Sequence, residues 1–241
     1  MPNKALDPAH ESTNMSQDHT VKSFDVELRR LIQEIAQMGG LAEEQLAQAI
    51  DSLARRDSES ATKVIESDRR IDMMEHEAGN LAVRILALRQ PMATALREVV
   101  AAIKISSDIE RIGDYAKNIS KRVPLLENAA KIEPLSLLPE MARLATSMVH
   151  DVLDAFIERD AEAAVRVCER DDAVDDFYDS IFRALLTHMM ENPHNIGQSA
   201  HLLFVAKNLE RVGDHATNIA EMVYYAATGQ HMADRPGKSA K

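Results

Sequence analysis

The decapeptide Glu-Arg-Ile-Gly-Asp-Tyr-Ala-Lys-Asn-Ile at residues 110–119 recurs as Glu-Arg-Val-Gly-Asp-His-Ala-Thr-Asn-Ile at 210–219. The echo extends beyond the motif. Arg56-Asp57 returns as Arg159-Asp160, Asp68 as Asp171 and Asp72 as Asp175, each 103 residues on, while Glu110/Glu210 and Asp114/Asp214 are 100 residues apart. The three-residue difference falls around an inter-helix loop, where length changes are tolerated best. A chain duplicated in this way folds as two similar units.

Each unit is helical by pattern. With 8 Gly, 8 Pro, no Trp and many Ala, Leu, Met, Glu and Arg, the chain has little to fill strands. Apolar residues recur at helical spacing. Phe24, Leu28, Leu31, Ile35, Leu46, Ile50 and Leu53 mark a first helix with a candidate bend at Gly39-Gly40. Val64, Ile71, Met74, Leu81, Ile85 and Leu88 mark a second, ending at Gln90-Pro91. Thr94 is placed to cap a third, which buries Val99, Ile103, Ile109, Ile112, Ala116, Ile119 and Val123 and stops at Pro124. The second unit repeats the plan with Leu144 to Phe156, Val165 to Leu185, and Leu202 to Val223. Short connections make successive helices antiparallel. The expected fold is all-α, a tandem pair of up-down three-helix bundles. Its expected organisation is a polar tail at 1–20, a first repeat at 21–123, a linker at 124–134, a second repeat at 135–228 and a tail at 229–241.

The net charge of −11 opposes binding to nucleic acid. No apolar run is long enough to span a bilayer, and the first residues do not resemble a secretion signal, so a soluble, cytoplasmic protein is expected. The single Cys168 reads as a buried thiol.

The repeated text separates into two faces. At about 100° per residue, Ile109, Ile112, Ala116, Ile119 and Val123 cluster on one side, and Glu110 and Asp114 stand on the adjoining flank. Asp72 and His76 occupy the same flank of the second helix. The antiparallel register sets Asp72 level with Asp114, and His76 level with Glu110, about 6 Å apart along the axis. In the second unit Asp175 pairs with Asp214 and Asp179 with Glu210. Carboxylates converging in this way repel one another unless protonated or met by a cation. Oxygen-rich, Cys-free ligation favours Mg, Mn or Fe, with Zn open at the site containing His76. The competing reading is an ordinary solvated face, with Arg111, Lys117 and Arg211 as ionic neighbours. Gly113 and Gly213 permit either close helix approach or something bulky against the backbone. Asn118 and Asn218 read equally as outer ligands or surface amides. His215, in the place of Tyr115, reads as a surface or interface residue.

The paired Glu-Arg-(Ile/Val)-Gly-Asp-(Tyr/His)-Ala-x-Asn-Ile motifs, with the acidic second helix before each, resemble the PhoU family, regulators that work with the bacterial phosphate transporter. The resemblance covers about residues 22 to 228. It implies a cytoplasmic, tandem three-helix protein, often a homodimer. It also implies multinuclear metal clusters on acidic motifs, here Glu110 with Asp114, Glu210 with Asp214, Asp175 with Asp179 and, departing from the pattern, Asp72 with His76, where Glu75 is an alternative ligand. It implies negative regulation through the transporter ATPase and the phosphate-sensing histidine kinase, with no catalytic residue. Two other classes remain. A helical carboxylate-bridged metalloenzyme would carry Glu-x-x-His pairs in a bundle core, whereas these acids lie on a flank. A metal-free adaptor would leave the acidic faces without an ion.

Overall fold

The computed structural model describes residues 9–127 and 137–232, with side chains from Phe24 onward. The expected tail segments 1–8 and 233–241, linker residues 128–134, and residues 135 and 136 lie outside the described residues. Helix α1 spans Ala9–Arg55, α2 Ser58–Arg89, α3 Thr94–Ser120 and the short α4 Val123–Leu126. The second unit holds α5 Leu138–Glu158, α6 Ala161–Cys168, α7 Asp171–Glu191, a 3₁₀ turn at Pro193–Asn195, and α8 Ile196–Thr228. No strand occurs among the described residues. Helices α1, α2 and α3 pack on one another, and α5, α6 and α7 each pack on α8; the all-α tandem reading therefore holds.

The duplicated Arg-Asp pair is a helix junction. Arg56 and Arg159 both take left-handed backbone, with φ of 58° and 57°. Each lets the next residue's N–H reach back five residues, Asp57 to Ser52 and Asp160 to Ala155, closing the preceding helix. The aspartate then opens the next helix: Asp57 accepts from the amides of Glu59 and Ser60, and Asp160 from those of Glu162 and Ala163. A cap of this kind contributes about 1 kcal/mol.

Several boundaries differ from the sequence reading. The polar stretch read as a tail at 1–20 is helical from Ala9, because the chain between Pro8 and Gly39 contains no breaker and extends an already folded helix. Thr94 is the first helical residue, not the cap, which is Ala93 with φ of 49°. Pro124 sits in the first turn of α4, where its missing N–H costs nothing, so it starts a turn of helix inside the expected linker. The expected fifth helix is two, broken at Glu169-Arg170, where the Arg170 amide bonds the carbonyl three residues back. That break shifts the helical phase, so Ala164 and Val167 enter the core and Val165 is only half-buried. Leu88, expected inside, is 65% exposed.

The two bundles meet along α3 and α8, with α1 touching α5. Tyr115 and Arg122 of α3 face His215 and Phe204 of α8, so the motif helices cross antiparallel. At the other contact, a Cβ on Gly39 would overlap the Leu153 side chain, whereas one on Gly40 meets nothing within 4 Å. The expected bend does not interrupt α1, which is helical through both glycines; Gly39 is there to let α1 approach α5. Gly40→Ala should therefore stabilise by up to about 1 kcal/mol through helix propensity. Gly39→Ala should destabilise by about 1–3 kcal/mol through overpacking. Urea denaturation of the two variants checks the pair, and equal effects would contradict this account of the contact.

Candidate acidic sites on the motif helices

The motif helices α3 and α8 carry the acidic flanks because their apolar residues are committed to the core. Ile109, Ile112, Ala116 and Ile119 are 1% exposed or less, as are Leu209, Val212, Ala216 and Ile219. Gly113 and Gly213 face the second helix of their own unit. A Cβ on Gly113 would stand 3.0 Å from Ile71 Cδ1, and one on Gly213 3.4 Å from Val174 Cγ1. Of the two readings left open, close helix approach is the one observed, and Ile71 and Val174 are themselves duplicate positions.

In the first unit the centre of the acidic flank is a lysine. Lys117 Nζ donates to Asp68 Oδ2 on α2 and, at 3.1 Å, to Asp114 Oδ1 on α3. Asp114 Oδ2 also accepts from Arg111 at 3.4 Å. The Asp68 side chain is only 4% exposed. Burial pushes its carboxyl up, against the pull of Lys117, while hydrogen bonding to Asp68 holds the Lys117 ammonium above the ordinary lysine range. We take the pair as ionised at neutral pH, since Lys117 is 26% exposed and keeps contact with water. The Glu110 carboxyl is also raised, first by burial and then by Asp114, with Asp72 and Glu75 adding to it. Asp68, Asp72, Glu75, Glu110 and Asp114 thus form one electrostatic neighbourhood.

The eight residues expected to ligate metal are not all brought together. His76 is 84% exposed, and its Nδ1 lies 3.5 Å from Glu75; it is Glu75, at 31% exposure, that faces Glu110. The physical reason is phase: Glu75 lies about 100° nearer the core stripe than His76. Asp179, at the same place in the second unit, is 60% exposed and pairs with Arg183 at 3.7 Å. Among the described residues no three His, Cys, Asp or Glu side chains gather in a metal-binding group. Asp72 and Asp175 are exposed, and Asp72 lies close enough to Asp68 and Glu110 for its charge to raise both carboxyls.

The second unit departs from the first beyond Asp179 in the place of His76. Thr217 replaces Lys117 and turns its hydroxyl to the Asp214 carbonyl at 2.7 Å. Tyr178 replaces Glu75. Lys207 lies 5.0 Å from the Tyr178 ring centroid and donates to Glu210 Oε1 at 2.6 Å. The other oxygen, Glu210 Oε2, is buried with no hydrogen-bond partner. An orphaned buried carboxylate oxygen is costly and suits a cation. Glu210 Oε2 is thus an acceptor left open to a cation on the second flank, whereas on the first an ammonium already stands between Asp68 and Asp114.

Between the units, Asp108 Oδ1 accepts from His215 Nδ1 at 2.7 Å, and His215 Nε2 lies 3.2 Å from the Tyr115 hydroxyl. In the neutral tautomer with the proton on Nδ1, that nitrogen donates to the carboxylate and Nε2 accepts from the tyrosine. His215 is thus an interface residue. Asn218 Nδ2 donates to Asp108 Oδ1 at 3.5 Å in the same seam. Cys168, expected to be buried, is half-buried. The chain's Glu-x-x-His spacing, Glu191 with His194, spans the end of α7 and the 3₁₀ turn, where both residues are exposed and outside any bundle core. No described helix is long and apolar enough to cross a membrane.

The PhoU domain model matches residues 35–123 and again 138–223. A phosphate-specific transport system accessory protein PhoU homolog of Zymomonas mobilis is 51% identical over 217 residues, covering 90% of this chain and 92% of that one. The homolog of Rhizobium meliloti is 46% identical over 224 residues, covering 92% and 94%. The crystal structure of PhoU from Pseudomonas aeruginosa superposes with a TM-score of 0.84 at 38% identity, covering 86% of this chain and all of that one. The phosphate transport system regulatory protein PhoU from Streptococcus pneumoniae follows at 0.81 and 31% identity, covering 87% of this chain and 99% of that one. These relatives carry accessory and regulatory names. With both duplicated units matched and nearly the whole length of its relatives covered, the chain belongs to the PhoU family.

Proposed function

We propose that the chain is an accessory protein of phosphate transport that negatively regulates both uptake and the phosphate regulon. In this reading it works in the cytoplasm as a homodimer, peripheral to the inner membrane through its partners. It links the ATPase of the phosphate transporter to the phosphate-sensing histidine kinase. The observation that carries the reading is the extent of the likeness: 51% identity across 92% of an accessory protein of that system, running through both units. The chain's own chemistry agrees. A rigid helical body with acidic flanks and a net charge of −11 suits docking to proteins, not to nucleic acid.

The acidic flanks enter as cation sites. In the second unit Asp175, Glu210 and Asp214 would hold the ion, an oxygen set suited to Mg, Mn or Fe. Bound there, the cation supplies charge neutralisation and a crosslink between α7 and α8, with no catalysis. Glu210 Oε2 supports this placement because nothing else satisfies it. Elemental analysis after chelation and reconstitution should find metal on the wild type and none on Asp214→Asn; equal content in the two would contradict it. For the partners, the immobilised chain should retain both the transporter ATPase and the sensor kinase. Retention of neither would sink the linking role.

A further inference from the structure

Lys117 is the place where the duplicated motif breaks its own rule, since the second copy has Thr217. Its ammonium reaches carboxylates on two helices, Asp68 of α2 and Asp114 of α3. Thr217 is wholly buried and spends its hydroxyl on the Asp214 carbonyl, so that position sends no charge between α7 and α8. Lys207 does not replace it. It binds Glu210 on its own helix, 43% exposed, and leaves Glu210 Oε2 without a partner. An ammonium and a divalent cation answer the same need, positive charge where carboxylates crowd. They cannot both stand between Asp68 and Asp114.

We infer that Lys117 is a tethered substitute for a metal ion, so that the acidic face of the first unit is neutralised from within and takes no divalent cation. The two halves of the duplication are then chemically unequal. One is crosslinked from within through α2–Lys117–α3, and the other carries no lysine at that position. The inference builds on the cation reading proposed above for the second unit, but its own claim concerns α2 and α3 alone.

Titration of manganese(II) into the full-length chain by calorimetry separates the two. In the wild type, Asp114→Asn should leave manganese stoichiometry and affinity unchanged; a loss would overturn the inference. In an Asp214→Asn background, which silences the second unit, Lys117→Thr should gain one manganese ion per chain. A folded Lys117→Thr variant that gains none would also overturn it. Should Lys117→Thr lose its helical circular dichroism in chelator, manganese is expected to restore it; failure to do so counts against the inference, provided Lys117→Arg, which keeps the charge, remains folded. A wild type that binds no manganese contradicts the second-unit reading alone, since the gain on Lys117→Thr is then still required.

Discussion

Lys117→Met is expected to destabilise the chain by about 3 kcal/mol at neutral pH, read from urea unfolding. The substitution keeps most of the aliphatic volume and removes the charge, leaving the Asp68 side chain at 4% exposure without its ammonium. Breaking one partner of a buried pair costs about 3–5 kcal/mol, and the 26% exposure of Lys117 places this case at the low end. The pH dependence follows from the Asp68 carboxyl, which burial already raises from 3.8. Without Lys117 it rises further, so the penalty is largest above the folded value and shrinks as acid protonates the group. Asp68→Asn/Lys117→Met should recover most of the loss, because a neutral pair carries no uncompensated charge. A single variant as stable as the wild type would show that the ion pair does not hold α2 to α3.

Ile119→Ala and Ile219→Ala should each cost about 2–5 kcal/mol. These residues end the two copies of the motif, and both are fully buried. Their neighbours in the same text behave oppositely: Arg111, with its side chain 55% exposed, should change stability by no more than about 0.5 kcal/mol on replacement by alanine. Chemical denaturation of the four proteins, with m-values compared, tests whether the motif divides into core and flank as its helical angles require. A costly Arg111→Ala beside cheap isoleucine variants would reverse the assignment.

The fold was legible because duplication and apolar period point the same way. Every core residue read from the third and sixth helices is buried except Ile103, which is half-buried. The split between α6 and α7 was not legible, since neither Gly nor Pro marks Glu169-Arg170. At the acidic face the residue types are legible in the sequence, but their partners are not. Lys117 reads from pattern as a surface neighbour because its partner Asp68, one turn before Asp72, sits nearer the core edge, where a buried charge is not expected. His76 attracted attention as a ligand type, while its phase on α2 gives the inward position to Glu75. The inequality of the two units hangs on single substitutions, Lys for Thr and Glu for Tyr, which only the packing makes meaningful.

The central claim is that this chain restrains the phosphate response. Its most direct test is phosphatase expression in phosphate-rich medium after deletion of the gene. The account predicts high, constitutive expression, returned to the repressed level by the intact chain supplied in trans. Expression that stays repressed in the deletion strain would contradict it.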